Sequence, residues 1–195
     1  LPEGRANPRQ LWLTEENLGE YKKLTARIRD LAVKEHGYAP LLILQATHSG
    51  RYSKPHGKPE PLTAYPLPSW ETAGKSRILT VEEIERAEDA VARTARLAEE
   101  AGFDGVDVKC CHRYLGSELL SAFTRKGRYG GDFDNRTRYV RQAALKARQN
   151  TGADFIVTSR LNIYDGFPYP YGFGVKEGGA PEFDSAEPIR LVKAL

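Results

Sequence analysis

Residues 104–115 read DGVDVKCCHRYL. A short apolar alternation, Val106 and Val108, runs directly into Lys109, two thiols, His112, Arg113 and Tyr114. A half-buried strand that ends in cations and a phenol has an end facing something other than core. Two further segments behave the same way. LLILQA at 41–46 carries Gln45 and is followed by His48 and Arg51, and FIVTSRL at 155–161 carries Arg160 and is followed by Asn162. Their continuous apolar character predicts strands buried on both faces, as in a parallel sheet.

Helical patterns lead into each strand. Over Thr14–His36 the residues Leu18, Tyr21, Leu24, Ile28, Leu31 and Ala32 recur at three-to-four spacing, with Gly37 as the stop. Over Thr80–Ala101, Thr80 and Glu83 form a capping box, and Leu79 with Ile84 a hydrophobic staple. The inner face of that helix is Ile84, Ala87, Val91, Ala95 and Ala98, and Gly102 ends it. Arg136–Asn150 places Tyr139, Val140, Ala143 and Ala147 on one face, with Asp134 or Asn135 as cap and Gly152 as stop, and another helix starts near Ser185.

Alternating helices and strands specify an α/β fold with a parallel sheet, either open or closed into a (β/α)8 barrel. Two long segments that leave strand ends, Thr47–Leu79 and Cys111–Asp134, favour the TIM barrel, which builds its sites there. No GxGxxG follows a strand, which argues against a dinucleotide-binding open sheet. A barrel typically needs about 250 residues, so three strands in 195 residues form only part of one. The chain starts at Leu1, contains no methionine, and opens on LPEGRANPRQLWL, which is not a signal peptide. The expectation is an internal piece of a longer protein, a single partial barrel domain over residues 1–195.

Charge narrows the partners. The 29 basic and 26 acidic residues leave a net charge of +3, and no basic run is interleaved with aromatics, so no nucleic-acid partner is expected. No apolar run reaches the roughly 20 residues of a membrane span. The two cysteines are adjacent, a poor geometry for a disulfide, which points to a reducing, cytoplasmic setting. Brought to one mouth, the strand-end residues offer an amide, cations and a phenol, with no carboxylate cluster. Such a set suits a small planar, electron-rich or anionic ligand, and no metal is expected.

At this point the residues match a known pattern. QATHSGRYS (45–53), the block GFDGVDVKCCHRYLGSELLSAFTRKGRYGGDFDNRTRYV (102–140) and GADFIVTSRLN (152–162) resemble, in order and spacing, the old yellow enzyme family of FMN-dependent NADH:flavin oxidoreductases. The resemblance runs from about Leu1 to Asn162 and implies an FMN-binding barrel of which this chain covers about strands 3–5. It implies that Gln45 and Arg160 bind the cofactor, the amide at the pyrimidine edge and the guanidinium near flavin N1 and O2. It implies NAD(P)H as electron donor and an activated alkene as acceptor, with Tyr114 as proton donor. His112 falls on one of the two positions that bind the acceptor's carbonyl oxygen. The other is usually histidine and here is Lys109, and the usual glycine before the tyrosine is Arg113. Both changes suggest a more anionic substrate or weaker activity. The phosphate-binding loops after strands 7 and 8 are not in this sequence, so FMN held by this piece alone is expected to be weak.

Simpler readings stand beside these. Lys109 is either a strand-end surface lysine or a Schiff-base nucleophile of a lyase or aldolase. Cys110 and Cys111 read as packing residues, His48 as a turn tie, Tyr114 as an amphipathic core residue. Arg51 and Arg160 are candidates for ion pairs, and Arg136 for bracing a turn. The stretch YDGFPYPYGFG at 164–174 either covers the site or is an ordered aromatic loop. A third function remains: a non-catalytic piece that folds by association with a second copy or with the missing half of the barrel.

Overall fold

The computed structural model describes residues 1–66, 68 and 76–195. Three parallel strands form the main sheet: β1 (Ile43–Ala46), β4 (Gly105–Cys110) and β5 (Ile156–Leu161), in the order β1-β4-β5. Between them, β2 (Leu62–Thr63) and β3 (Arg77–Ile78) make a separate two-stranded parallel ladder within the expected Thr47–Leu79 loop. Residues 67 and 69–75 of that loop lie outside the described residues. The helices are α1 (Leu18–His36), α2 (Val81–Glu100), α3 (Leu115–Leu120), α4 (Phe133–Arg136), α5 (Arg138–Gln149) and α6 (Ala186–Ala194).

The register assigns the two faces of the sheet. Gln45 pairs with Asp107, and Lys109 pairs with Arg160. Because side chains alternate, Val106, Val108 and Cys110 turn to the helical side, where they are almost fully buried. There they join Val91, Ala95 and Ala98 of α2 and Val140, Ala143 and Ala147 of α5 in one core. Both crossover helices therefore cover the same face, and the strands follow one another in chain order. This is a singly wound arc, as in a barrel wall, and it leaves the other face open. The expectation of strands buried on both faces is corrected accordingly. β4 is buried along most of its length, whereas β5 alternates between half-buried and exposed and β1 does so up to its last residue, the buried Ala46.

Local signals explain the helices. The Thr80–Glu83 capping box is present in both directions, and Leu79 and Ile84 pack in a second core with Leu115, Leu119 and Tyr139. Asp132, not Asp134 or Asn135, caps the helical turn that precedes α5, its carboxylate accepting from Asn135 N–H at 2.8 Å. Thr14 does not begin α1, because Asn17 folds back on its side chain: its Oδ1 accepts from Thr14 N–H at 2.8 Å. α1 is moored by polar contacts, Thr25 Oγ1 donating to Ala101 O and Arg29 bridging Gly102 O and Asp104, each at 2.6 Å. Its apolar residues Leu24, Ile28 and Leu31 remain exposed. No described helix is long and apolar enough to cross a membrane.

The expected Cys111–Asp134 loop contains α3, whose six residues are all buried. It seats against the end of β4 at Gly116, where an added Cβ would stand 2.8 Å from Lys109 O and 3.3 Å from the Tyr139 ring. Neither the backbone oxygen nor the fully packed ring can yield cheaply. Gly116→Val is expected to cost about 1–3 kcal/mol, read as a lower urea midpoint at unchanged m value.

Candidate functional site

The open face of the sheet gathers three of the expected site residues. Gln45 stands on β1, Lys109 on β4 and Arg160 on β5, all on the side away from the helices. Sequence reasoning missed a fourth, Asp107. It lies beside Gln45 in register, and Gln45 Nε2 donates to its Oδ1 at 2.8 Å. Among the described residues the mouth thus holds a single carboxylate, and the signal was available: Asp107 is two residues before Lys109 and so shares its face. Gln45 keeps its carbonyl oxygen and its second amide hydrogen for a ligand.

Beyond β4 the chain turns through two consecutive residues in the left-handed region, His112 at φ 61° and Arg113 at φ 53°. Neither is glycine, and each costs on the order of 1 kcal/mol or more in that conformation. The turn is held by the Arg113 side chain, which is buried beneath the 164–174 loop. Its Nη1 donates to Tyr171 O at 2.9 Å and lies 3.9 Å from the Asp165 carboxylate, and the guanidinium sits 4.0 Å from the Phe167 ring centroid. The expectation that Arg113 alters the substrate side of the mouth is corrected: its charge is spent on fastening the aromatic loop. Asp165 ties the same loop from inside, accepting from Phe173 N–H at 2.9 Å and from the Asn162 amide.

The turn leaves His112 exposed and Tyr114 half-buried. Lys109 Nζ lies 3.5 Å from the centroid of the Tyr114 ring, and Tyr114 in turn packs on Tyr52 at 5.6 Å. Partial burial pulls the Lys109 ammonium below its ordinary value; Cys111 opposes this and Arg160 reinforces it. Desolvation, with Arg160 and Lys109 adding, holds the His112 imidazole below its ordinary value, which favours a neutral ring. Lys109, His112, Tyr114 and Arg160 are therefore brought together, with Gln45 one pleat deeper on the same face.

Other strand-end residues turn away. Arg51 is buried and pairs with Glu118 of α3, Nε to Oε2 at 2.9 Å, while Glu118 Oε1 accepts from Ala64 N–H at 2.8 Å. Burial raises the Glu118 pKa, and Arg51 opposes the rise. Arg136 braces a turn, donating to Gly131 O and Leu120 O at 2.9 and 2.5 Å. His48 is buried against Gly4, and its Nδ1 accepts from Gly50 N–H at 3.1 Å. It ties the turn that follows β1. Both cysteines are buried free thiols; Cys110 belongs to the helix-side core. Among the described residues no group of three His, Cys, Asp or Glu side chains is placed to hold a metal ion.

With this geometry in hand, comparison with known proteins decides the family. Residues 2–173 match the model of the NADH:flavin oxidoreductase / NADH oxidase family. The chain belongs to that family. It is 30% identical over 156 residues to an N,N-dimethylglycine/sarcosine dehydrogenase of Chromohalobacter salexigens, covering 78% of this chain and 22% of that protein. The structure of a 2-naphthoyl-CoA reductase in complex with 2-naphthoyl-CoA superposes with a TM-score of 0.72 at 28% identity, over 93% of this chain and 27% of that one. An Old Yellow Enzyme from Pichia sp. AKU4542 gives a TM-score of 0.69 at 24% identity, over 93% of this chain and 48% of its own, and speaks for the fold. The architecture of this family member is thus α/β of the (β/α)8 TIM-barrel type, with part of the barrel present. The chain spans less than half the length of these proteins.

His48 makes the supporting shell sensitive to pH. Burial pulls its pKa to about 4 from 6.5. Between those values the unfolded chain binds a proton that the folded chain refuses, so this group's contribution falls as pH drops, by about 3 kcal/mol in all. Asp165, pushed up to about 6 by burial, acts in the opposite sense over the overlapping range. The His48 share is therefore read by difference. Urea stability of the unmodified protein minus that of His48→Gln should decline between pH 6.5 and 4 and stay level above pH 7.

Proposed function

We propose that the protein is an FMN-dependent oxidoreductase that takes electrons from NADH or NADPH and reduces an activated alkene or a related small acceptor. Residues 1–195 serve as one part of its FMN-binding barrel domain. The observation that carries this reading is the shared open face: Gln45, Lys109 and Arg160 stand on three neighbouring strands, with Tyr114 against Lys109. Membership of a flavin oxidoreductase family supports the same cofactor.

The donor set fits a flavin. A pyrimidine edge needs both a donor and an acceptor, and the Gln45 amide retains one of each. Arg160 makes no ion pair with a described carboxylate, so its charge is available to an electron-rich ring edge. When bound, FMN supplies hydride relay between the nicotinamide and the acceptor's β-carbon. The chain's own residues do the rest. Lys109 and His112 donate hydrogen bonds to the acceptor's activating oxygen, drawing electron density toward it. Tyr114 gives its phenolic proton to the α-carbon, completing the reduction. Arg113 and Asp165 fix the turn and the aromatic loop that present these groups.

Association completes this picture. The exposed Leu24, Ile28 and Leu31 of α1 and Ile43 of β1 favour contact with a further part of the barrel or with a second copy. The full-length protein of which residues 1–195 are one part, purified and supplied with FMN, should show a flavin absorption band that bleaches anaerobically on addition of NADH or NADPH. Arg160→Gln should weaken FMN binding by roughly tenfold to a hundredfold, the value of a charge-assisted hydrogen bond, with Arg160→Lys between the two. A protein that takes up no FMN, or a spectrum neither nucleotide bleaches, contradicts the reading.

A further inference from the structure

The 164–174 loop is closed at its neck by Asp165 and Phe173. Asp165 N–H donates to Phe173 O at 3.1 Å, and the Asp165 carboxylate accepts from Phe173 N–H at 2.9 Å and from the Asn162 amide. Phe173 is fully buried in the helix-side core. Each neck residue is followed by a glycine in the left-handed region, Gly166 and Gly174, both at φ 68°. Glycine takes this conformation without steric penalty, so the segment leaves its clasp on both sides at a position suited to a hinge. Inside the neck the Arg113 guanidinium meets Tyr171 O and the face of Phe167. The loop is a strap with one polar clasp, wrapped about a cation.

The carboxylate in that clasp is poorly compensated. The Asp165 side chain is 2% exposed, its two close donors are neutral amides, and Arg113 Nη1 stands 3.9 Å away, beyond hydrogen-bonding distance. Among the described residues, two further titratable groups act on it. Arg51, after β1, is itself paired with Glu118 of α3, and the Cys110 thiol at the end of β4 is kept protonated by burial. The Tyr65 phenol touches the far side of Arg113 at 3.5 Å. A buried anion is favourable only where close, charged donors replace its water, and here they do not. Burial accordingly pushes the Asp165 carboxyl up to about 6 from 3.8, although Phe173 N–H, Arg113, Arg51 and Asn162 all favour the anion.

We propose that the 164–174 loop is a proton-linked strap: fastening it favours the neutral carboxyl of Asp165, lifting it releases that proton to water, and a rise in pH therefore loosens it. A group that binds protons more tightly in the fastened state weakens the fastening as pH climbs from its exposed pKa to its buried one, and changes nothing further above that. Arg113 belongs to the turn that carries His112 and leads into Tyr114, so the strap also governs how firmly those two residues are held. The inference stands on the loop alone and does not depend on which cofactor the mouth receives.

Hydrogen exchange of the full-length protein tests it, followed by mass spectrometry from pH 5 to 8 and corrected for the intrinsic rate at each pH. Peptides covering residues 164–174 should lose protection by roughly tenfold over that interval, most of it below pH 7. Asp165→Asn keeps the size and an acceptor oxygen but has no proton to release, and its protection should stay level. Arg113→Gln removes a cation that favours the anion, and the loss should move to higher pH. Protection that is flat or rises with pH in the unmodified protein overturns the proposal. So does a loss of the same size in Asp165→Asn, or one whose midpoint is unmoved in Arg113→Gln.

Discussion

The pairing of β4 between β1 and β5 is the constraint on which everything else depends. It buries Val106, Val108 and Cys110 against α2 and α5, and by alternation it turns Asp107 and Lys109 the other way. Slipping the register by one residue would exchange those sets, burying an ammonium and a carboxylate among alanines and valines. The hydrophobic effect, at roughly 25 cal/mol per Å² of apolar surface, therefore does more than hold the sheet together. It chooses which side chains face the mouth, and it does so without any of them contributing to the core.

Behind the mouth lies a second layer built from buried charge. Arg51 with Glu118, and Arg113 with Asp165, tie α3, the residues after β1 and the 164–174 loop to the end of β4. Buried pairs of this kind add little net stability over apolar packing, but breaking one strands a charge and costs several kcal/mol. Their effect is to fix positions. The left-handed turn at His112 and Arg113 would relax without the Arg113 anchor, and Tyr114 follows directly from that turn. Charge inside the shell thus sets the geometry of charge at the mouth.

Much of this was legible in the sequence, and the parts that were not have physical reasons. The three main strands and the three long helices follow from apolar periodicity and caps, and the Thr80–Glu83 box appears as read. The burial of β1 and β5 was overestimated because an apolar run cannot say whether a second layer covers it. The short β2, β3 and α3 elements escaped because so few residues carry no measurable period. In the site, face assignments for Gln45, Lys109 and Arg160 follow from alternation alone. The ion pair of Arg51 and the turn tie at His48 appear as read, but the Arg51 partner, Glu118, and the role of Arg113 do not follow from the sequence, since a loop residue's direction depends on partners distant in sequence, such as Tyr171. Asp107 was readable and overlooked.

The central claim is that the open side of the sheet, and not the helical side, receives the flavin. An NMR titration of the protein with FMN tests this directly, because side-chain resonances on the two faces report separately. The account predicts that the Gln45 side-chain amide and the Arg160 Nε–H move on addition of FMN while the methyl resonances of Val106 and Val108 stay in place. Movement confined to the valine methyls and the helices that cover them, or none at all at Gln45 and Arg160, would contradict it.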